Sequence, residues 1–186
     1  MTFKNKPNKW HELLDGRIVW ESRSIAVNGV IMIMVEDYEE SPGPYVLVSE
    51  RGPNSADYIG LWNNVAGYLD WDESGPEAFE RETWEEVGIN IHDLMQTSSL
   101  IYRADIVQPW HVQTEPIYSR QNVSLRYGLF TLQKWFPLFN TANNEVEGEI
   151  GEIKWLHVDD LHLYEWAFEH DEVIKSYCEI NKIKVK

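Results

Sequence analysis

Glu82, Glu85 and Glu86 stand at i, i+3 and i+4. If residues 76–87 form a helix, that spacing puts all three carboxylates on one of its faces. Like charges so placed disfavour a helix by roughly 0.2–0.5 kcal/mol per pair. Arg81 can reach Glu77 and Glu85 at i−4 and i+4, which offsets part of that repulsion. A cation is the natural partner of such a cluster, and all-oxygen ligation selects a hard ion, Mg2+ or Mn2+, rather than Zn2+. The triplet alone reads more readily as a solvated acidic helix face. The spacing around it changes that reading.

The stretch GYLDWDESGPEAFERETWEEVGI, residues 67–89, opens on Gly67 and places Glu73 after five further residues. Seven more residues lead to Arg81, Glu82, Thr83, Glu85, Glu86, Gly88 and Ile89. This pattern resembles the Nudix box; every defining charged and glycine position matches, and only Thr83 departs from an apolar expectation. The resemblance implies a Nudix-type α/β/α sandwich with a mixed β-sheet and hydrolysis of a pyrophosphate bond. It implies Glu85 and Glu86 as the main metal ligands, helped by the Gly67 carbonyl, with Glu82 a further ligand or the general base. It also implies that Arg81 holds the carboxylates and that Glu73 braces the loop–helix turn. Such sites are often completed by a downstream carboxylate. Spacing to Trp155 offers Glu149 first and Glu152 second, with a solvated loop Glu the equal alternative. Two departures bear on the loop: Val65-Ala66 stands where Pro-Gly is frequent, and Tyr68 where small residues are.

The chemistry suits those groups. An anionic pyrophosphate repels nucleophiles; a bound cation neutralises its oxygens and lowers the pKa of water, and a carboxylate accepts the proton.

The elements that must position these residues follow from periodicity. Residues 25–35 and 45–49 read as strands joined by the acidic loop 36–44. Residues 51–60 read as a loop, and 62–69 as an extended run broken by Gly67. The box helix begins near Pro76, which suits a first turn, and ends at Gly88, which suits a C-terminal cap. Extended runs follow at about 100–107 and 122–132, with a long segment, 108–120, between them. Residues 140–151 read as a polar loop, 153–158 as a strand and 159–183 as mainly helical. The expected organisation is a single domain over 1–186, with 1–24 as an N-terminal extension and 164–186 as a C-terminal helix.

Composition narrows the partners. The formal charge of −15 repels long nucleic acid. One cysteine, Cys178, excludes an intrachain disulfide. No signal-like or bilayer-spanning apolar run occurs, so a cytoplasmic protein with no membrane partner is expected. A homodimer is expected by analogy of fold alone.

Selectivity is expected from residues 105–128, because the box handles only a diphosphate that all substrates share. Trp110 could stack a base, and Arg120 or Arg126 could bind phosphate or ribose. The alternatives are loop packing for Trp110 and surface charge pairing for the arginines. The QPW triplet, 108–110, is similar to a motif of NADH-cleaving Nudix members, and PIYSRQNVS is similar in layout to a stretch of ADP-ribose-cleaving ones. The expected substrate is a small nucleotide: a nucleoside diphosphate linked to another moiety, as in ADP-ribose, a nucleotide sugar or a dinucleotide. Rival readings are a nucleoside triphosphate pyrophosphohydrolase, a non-catalytic nucleotide sensor and an isoprenoid diphosphate isomerase. The sensor typically carries a degraded box, and the isomerase wants a cysteine near the site.

Overall fold

The run Ile25–Val35, strand β3, is buried on both faces because its apolar side chains alternate between two cores. Val27 and Ile31 enter one cluster; Val30 and Met32 enter the other. The computed structural model describes residues 8–36, 43–116, 122–140 and 147–185. After β3 come β4 (Tyr45–Arg51), β5 (Trp62–Asn63), β6 (Val65–Tyr68), β7 (Leu100–Asp105), β8 (His111–Gln113), β9 (Val123–Gln133) and β10 (Ile150–His157). The main path of the sheet runs β10-β4-β3-β9-β7, with β5 on β4, β6 on β3 and β8 on β9. β3 and β9 are parallel over their full lengths, from Ile25 opposite Val123 to Val35 opposite Gln133, and the other pairs are antiparallel. The sheet is therefore mixed, as expected.

On its other side β3 changes partner midway. Met32 and Ile33 pair with β4, whereas Ala26 to Gly29 pair with β6. The exchange separates β4 from β6, and the candidate site lies where they part.

Helix α1 (Gly75–Val87) buries Ala78, Phe79, Thr83 and Val87 against one face of the sheet. Its start is fixed by Ser74, whose backbone N–H and hydroxyl both donate to the Glu77 carboxylate at 2.8 and 2.6 Å. Thr83 fits its buried position because its hydroxyl donates to the Phe79 carbonyl at 2.7 Å. A short helix α2 (Ile91–Gln96) completes this layer. The opposite face is covered by a 3-10 turn (Val158–Leu163) and helix α3 (His170–Ile180), which bury Leu161, Val173, Ile174 and Tyr177. The result is the expected α/β/α sandwich.

Three expectations need correction. The helix expected over 164–186 is shorter: the stretch 159–183 is mainly helical, but a strap over 164–169 separates the 3-10 turn from α3, which begins only at His170. The strap is drawn alongside β5, with the Trp62 N–H on the Glu165 carbonyl and the Ala167 N–H on the Trp62 carbonyl, both at 2.9 Å. The N-terminal extension contains a hairpin, β1 (Lys9–Glu12) paired with β2 (Ile18–Glu21). The long segment after β7 contains β8, and α2 also went unread. Among the described residues no helix is long and apolar enough to cross a membrane.

Gly88 closes α1 in the left-handed region, φ +69°, with its N–H on the Trp84 carbonyl at 3.0 Å. A Cβ there would strike the Asn140 carbonyl. Gly88→Ala is therefore expected to destabilise the fold by about 1–3 kcal/mol, read as a lower urea midpoint at unchanged slope. An unchanged midpoint would show that the junction can relax.

Candidate active site

Arg81 is the hub of the carboxylate cluster. Its guanidinium donates to Glu73 at 2.9 and 2.7 Å and to Glu85 at 2.9 Å, pairs with Glu82 at 2.9 Å, and reaches the Tyr68 carbonyl at 3.1 Å. The expected contact to Glu77 is corrected, because that carboxylate caps the helix. The Arg81 hydrogen bond holds the Glu73 carboxyl below its ordinary range, and the Asp70 N–H adds to the effect. Glu73 thus ties the box loop to the helix.

Gly67 sits in β6 opposite Val27, directly under the helix. A Cβ at this position would run into the Glu82 carboxylate, so glycine leaves that carboxylate the place it occupies between helix and strand. Burial pushes the Glu82 carboxyl up to about 7, against the opposing pull of Arg81. Burial likewise raises Glu86 well above the ordinary carboxylate range, and the charge of Glu82 adds to it. Glu86 accepts the Ala66 backbone N–H, yet its Oε2 is shut off from solvent without a hydrogen-bond partner among the described residues. Both departures from the usual box are accommodated: Ala66 supplies that N–H, and the Tyr68 ring is half exposed.

Glu149 is brought to the same place by its backbone. Its carbonyl accepts the Gly52 N–H at 2.6 Å and the Ser55 hydroxyl at 2.8 Å, pinning it against the loop that follows β4. The side chain of Glu152 is instead exposed and pairs with Lys154 at 3.1 Å. Glu82, Glu85, Glu86 and Glu149 line one cavity of about 280 Å3, together with Gly67, Arg51 and Arg81. Among the described residues no three of His, Cys, Asp or Glu converge into a closed metal cage. The donor set still fits Mg2+ or Mn2+. All the donors are oxygen, Glu86 offers an unpartnered one, and Mg2+ usually takes only one or two carboxylates beside waters and substrate phosphates.

A second cavity of about 640 Å3 adjoins the first and shares Arg51, Ala66, Gly67, Tyr68 and Glu149 with it. Arg126 lines it, with Nε buried and lacking a hydrogen-bond partner among the described residues. Burial lowers the pKa of this guanidinium. Trp110 does not line either cavity. Its indole N–H donates to the Tyr127 carbonyl at 3.1 Å and its ring packs 5.4 Å from that of Tyr177, so the expectation that it stacks a base gives way to core packing. Arg120 lies outside the described residues.

Several cavity residues carry no signal in the sequence. Arg51 ends β4 and is fixed by Asp57, donating to its carbonyl at 2.8 Å and its carboxylate at 3.0 Å. Asn28 and His170 lie 3.0 Å apart on the cavity wall, and His170 Nδ1 accepts the Asn64 N–H at 3.1 Å. Burial holds His170 neutral, with its pKa pushed down to about 3, and the charges of Arg126 and Arg51 reinforce the shift.

Comparison with known proteins agrees with this geometry. The family model described as the NUDIX domain matches residues 26–177. Nudix hydrolase 19, chloroplastic, of Arabidopsis thaliana is 31% identical over 121 residues, 65% of this chain. That match spans only 23% of the relative's length. The NUDIX domain of Shewanella oneidensis NrtR, solved with ADP ribose, superposes with a TM-score of 0.61 at 16% identity, covering 86% of this chain and 89% of that one. A bifunctional NMN adenylyltransferase/ADP ribose pyrophosphatase from Francisella tularensis, solved with AMP and a Mn ion, gives a TM-score of 0.57 at 17% identity, covering 87% and 42%.

The raised carboxyls make a prediction about stability. A carboxyl whose folded pKa exceeds its unfolded value contributes stability fully present below about 4.5 and lost as pH rises through the folded pKa, about 7 for Glu82 and likewise raised well above the ordinary carboxylate range for Glu86. In the presence of a chelator, Glu86→Gln should therefore melt several degrees above wild type at pH 8, with the gap closing towards pH 5. Equal melting temperatures at pH 8, or a gap that widens on acidification, would refute a buried, unpaired Glu86 charge.

Proposed function

The chain belongs to the Nudix family, and from that premise we propose that it is a divalent-metal-dependent pyrophosphohydrolase. Its substrate would be a nucleoside diphosphate linked to another moiety: ADP-ribose, a nucleotide sugar or a dinucleotide. The observation carrying this reading is the pair of adjoining cavities. One is walled by five carboxylates, including the unpartnered Glu86 oxygen, and the other is large and bears Arg126. The ADP ribose bound by the NrtR domain and the AMP bound by the Francisella protein support a nucleotide of this kind.

Glu85 and Glu86, with Glu82 and the Gly67 backbone, would hold Mg2+ or Mn2+. The ion, when bound, neutralises the diphosphate oxygens and acidifies water. Arg81 keeps Glu82 and Glu85 oriented through its fork of hydrogen bonds. Glu82, with a pKa of about 7, is matched to accepting the proton of the attacking water near neutral pH. Glu149 faces the same cavity and is the other carboxylate placed for that role. Arg51, shared by both cavities, would receive the diphosphate, and Arg126 a phosphate or hydroxyl group beyond it. Cleavage gives a nucleoside monophosphate and a phosphorylated remainder. Arg120 stays a candidate for the same substrate on sequence grounds.

A hydrolysis screen with Mg2+ and Mn2+ across nucleoside diphosphate derivatives and triphosphates tests the reading; a preference for triphosphates would overturn the substrate class. Glu85→Gln and Glu86→Gln are expected to remove most activity while the protein stays folded. Near-normal turnover at limiting Mg2+ would withdraw the ligand assignment. Glu82→Gln should lower kcat by about 10²–10⁴, with a smaller effect on metal affinity. If Glu149→Gln gives the larger kcat loss, the base is Glu149.

A further inference from the structure

We propose that Phe168 and Tyr58 form the wall on which the planar aromatic ring of the substrate stacks, a role that rests on the pyrophosphohydrolase reading for its connection to the diphosphate. Both residues line the 640 Å3 cavity. Their rings meet edge to face, with centroids 4.6 Å apart and planes at 65°. They come from loops more than a hundred residues apart, and Arg51 joins them. Its guanidinium lies 5.1 Å from the Phe168 ring centroid and holds Asp57, the neighbour of Tyr58, through two hydrogen bonds. Because Arg51 also lines the carboxylate cavity, the aromatic wall begins where the diphosphate site ends.

The backbone here is costly, and the cost falls on ring-bearing residues. Tyr58, Phe168 and Glu169 have φ of +52°, +58° and +59°. Glycine would adopt that region freely, whereas a bulky aromatic does so only when its surroundings force it. Such strain gathers at ligand-binding sites. What forces it at Phe168 is the strap, tied to β5 at Glu165 and Ala167, with the His170 N–H returning to the Ala167 carbonyl at 3.0 Å. The strap turns Phe168 into the cavity and starts α3 immediately afterwards.

The facing wall selects a ring with a polar edge over an apolar chain. Asn28, Ser124 and Arg126 line the same cavity. An alkyl or isoprenoid group laid on Phe168 would leave the buried Arg126 Nε without a partner, whereas a nucleobase offers it an acceptor edge.

The test is equilibrium binding by calorimetry, without turnover. It compares AMP, GMP and UMP, which carry rings, with ribose 5-phosphate, which does not. Phe168→Leu keeps the bulk and removes the ring. It should weaken the preferred mononucleotide about tenfold and leave ribose 5-phosphate unchanged, while Phe168→Tyr retains binding. Tyr58→Leu should act in the same direction. If Phe168→Leu is unfolded by melting, Phe168→Asn replaces it, since Asn tolerates the left-handed backbone. The proposal is overturned if a folded ring-less variant binds mononucleotides like wild type, or weakens both ligand classes equally. It is also overturned if wild type binds none of the three mononucleotides. Ring-selective binding in a protein that hydrolyses no diphosphate would refute the proposed function and leave the aromatic wall standing. Hydrolysis with unchanged ring binding in Phe168→Leu would do the reverse.

Discussion

One guanidinium holding three carboxylates is the contact on which the site depends. Arg81 binds Glu73 from the loop and Glu82 and Glu85 from the helix, and so fixes loop and helix as a single unit. Without it Glu73, Glu82, Glu85 and Glu86 would repel one another in a partly buried space where charges are weakly screened. Neutralisation is incomplete, since Glu86 lies beyond its reach and keeps one unpartnered oxygen. The shortfall distinguishes this cluster from a structural ion-pair network. A fully satisfied network would offer a cation nothing, whereas this one sets a single guanidinium among four carboxylates and stays net negative.

That unit works only if α1 lies close to β6, and two sequence choices allow it. Gly67 leaves room for the Glu82 carboxylate, and Phe79, Thr83 and Val87 bury a stripe beside the acidic face rather than opposite it. The helix therefore packs by one flank and presents its acids sideways. β3 supplies the other requirement by pairing with β4 at one end and β6 at the other. The parting of these strands opens the floor on which the two cavities meet, with the loop after β4 clamping Glu149 on one side and holding Tyr58 on the other.

What could be read from the sequence was what local spacing encodes. The box helix, its proline start and its glycine end all lie within one period-3.6 segment, so α1 and its acids were legible. Glu149 was legible only as a distance from Trp155, and Arg126 only as a charge in a suggestive loop. The strap over 164–169 was read as helix because its residues do not forbid one. Its extended path is imposed by hydrogen bonds to Trp62, about a hundred residues earlier, and no local pattern records them. Trp110 leaves stacking and packing both open in the sequence, for the opposite reason. An exposed-looking aromatic in a polar loop suggests stacking, yet β8 folds it back onto Tyr177 and the Tyr127 carbonyl. Arg51 reads as the first residue of a loop and Phe168 as one aromatic within a helix, so neither stands out.

Acids line both cavities, yet each also carries guanidiniums, Arg51 and Arg81 at the smaller and Arg51 and Arg126 at the larger, inside a chain whose net charge is −15. In the larger cavity an anionic substrate repelled by the surface thus meets two guanidiniums that do not depend on a metal. His170 lies among them, and their charges help keep it neutral. A protonated His170 would add a third cation to a buried wall, unfavourable to the fold with no substrate bound. Its depressed pKa puts the consequence on the acid side. The unfolded chain takes up this proton near pH 6.5 and the folded chain not until about 3, so stability falls as pH drops through that interval. Glu82 and Glu86 act in the opposite sense, losing stability as pH rises above 4.5. The two halves of the site oppose each other between about pH 4.5 and 6.5. Above that interval only the carboxylates remain, and there a bound cation has the most to stabilise.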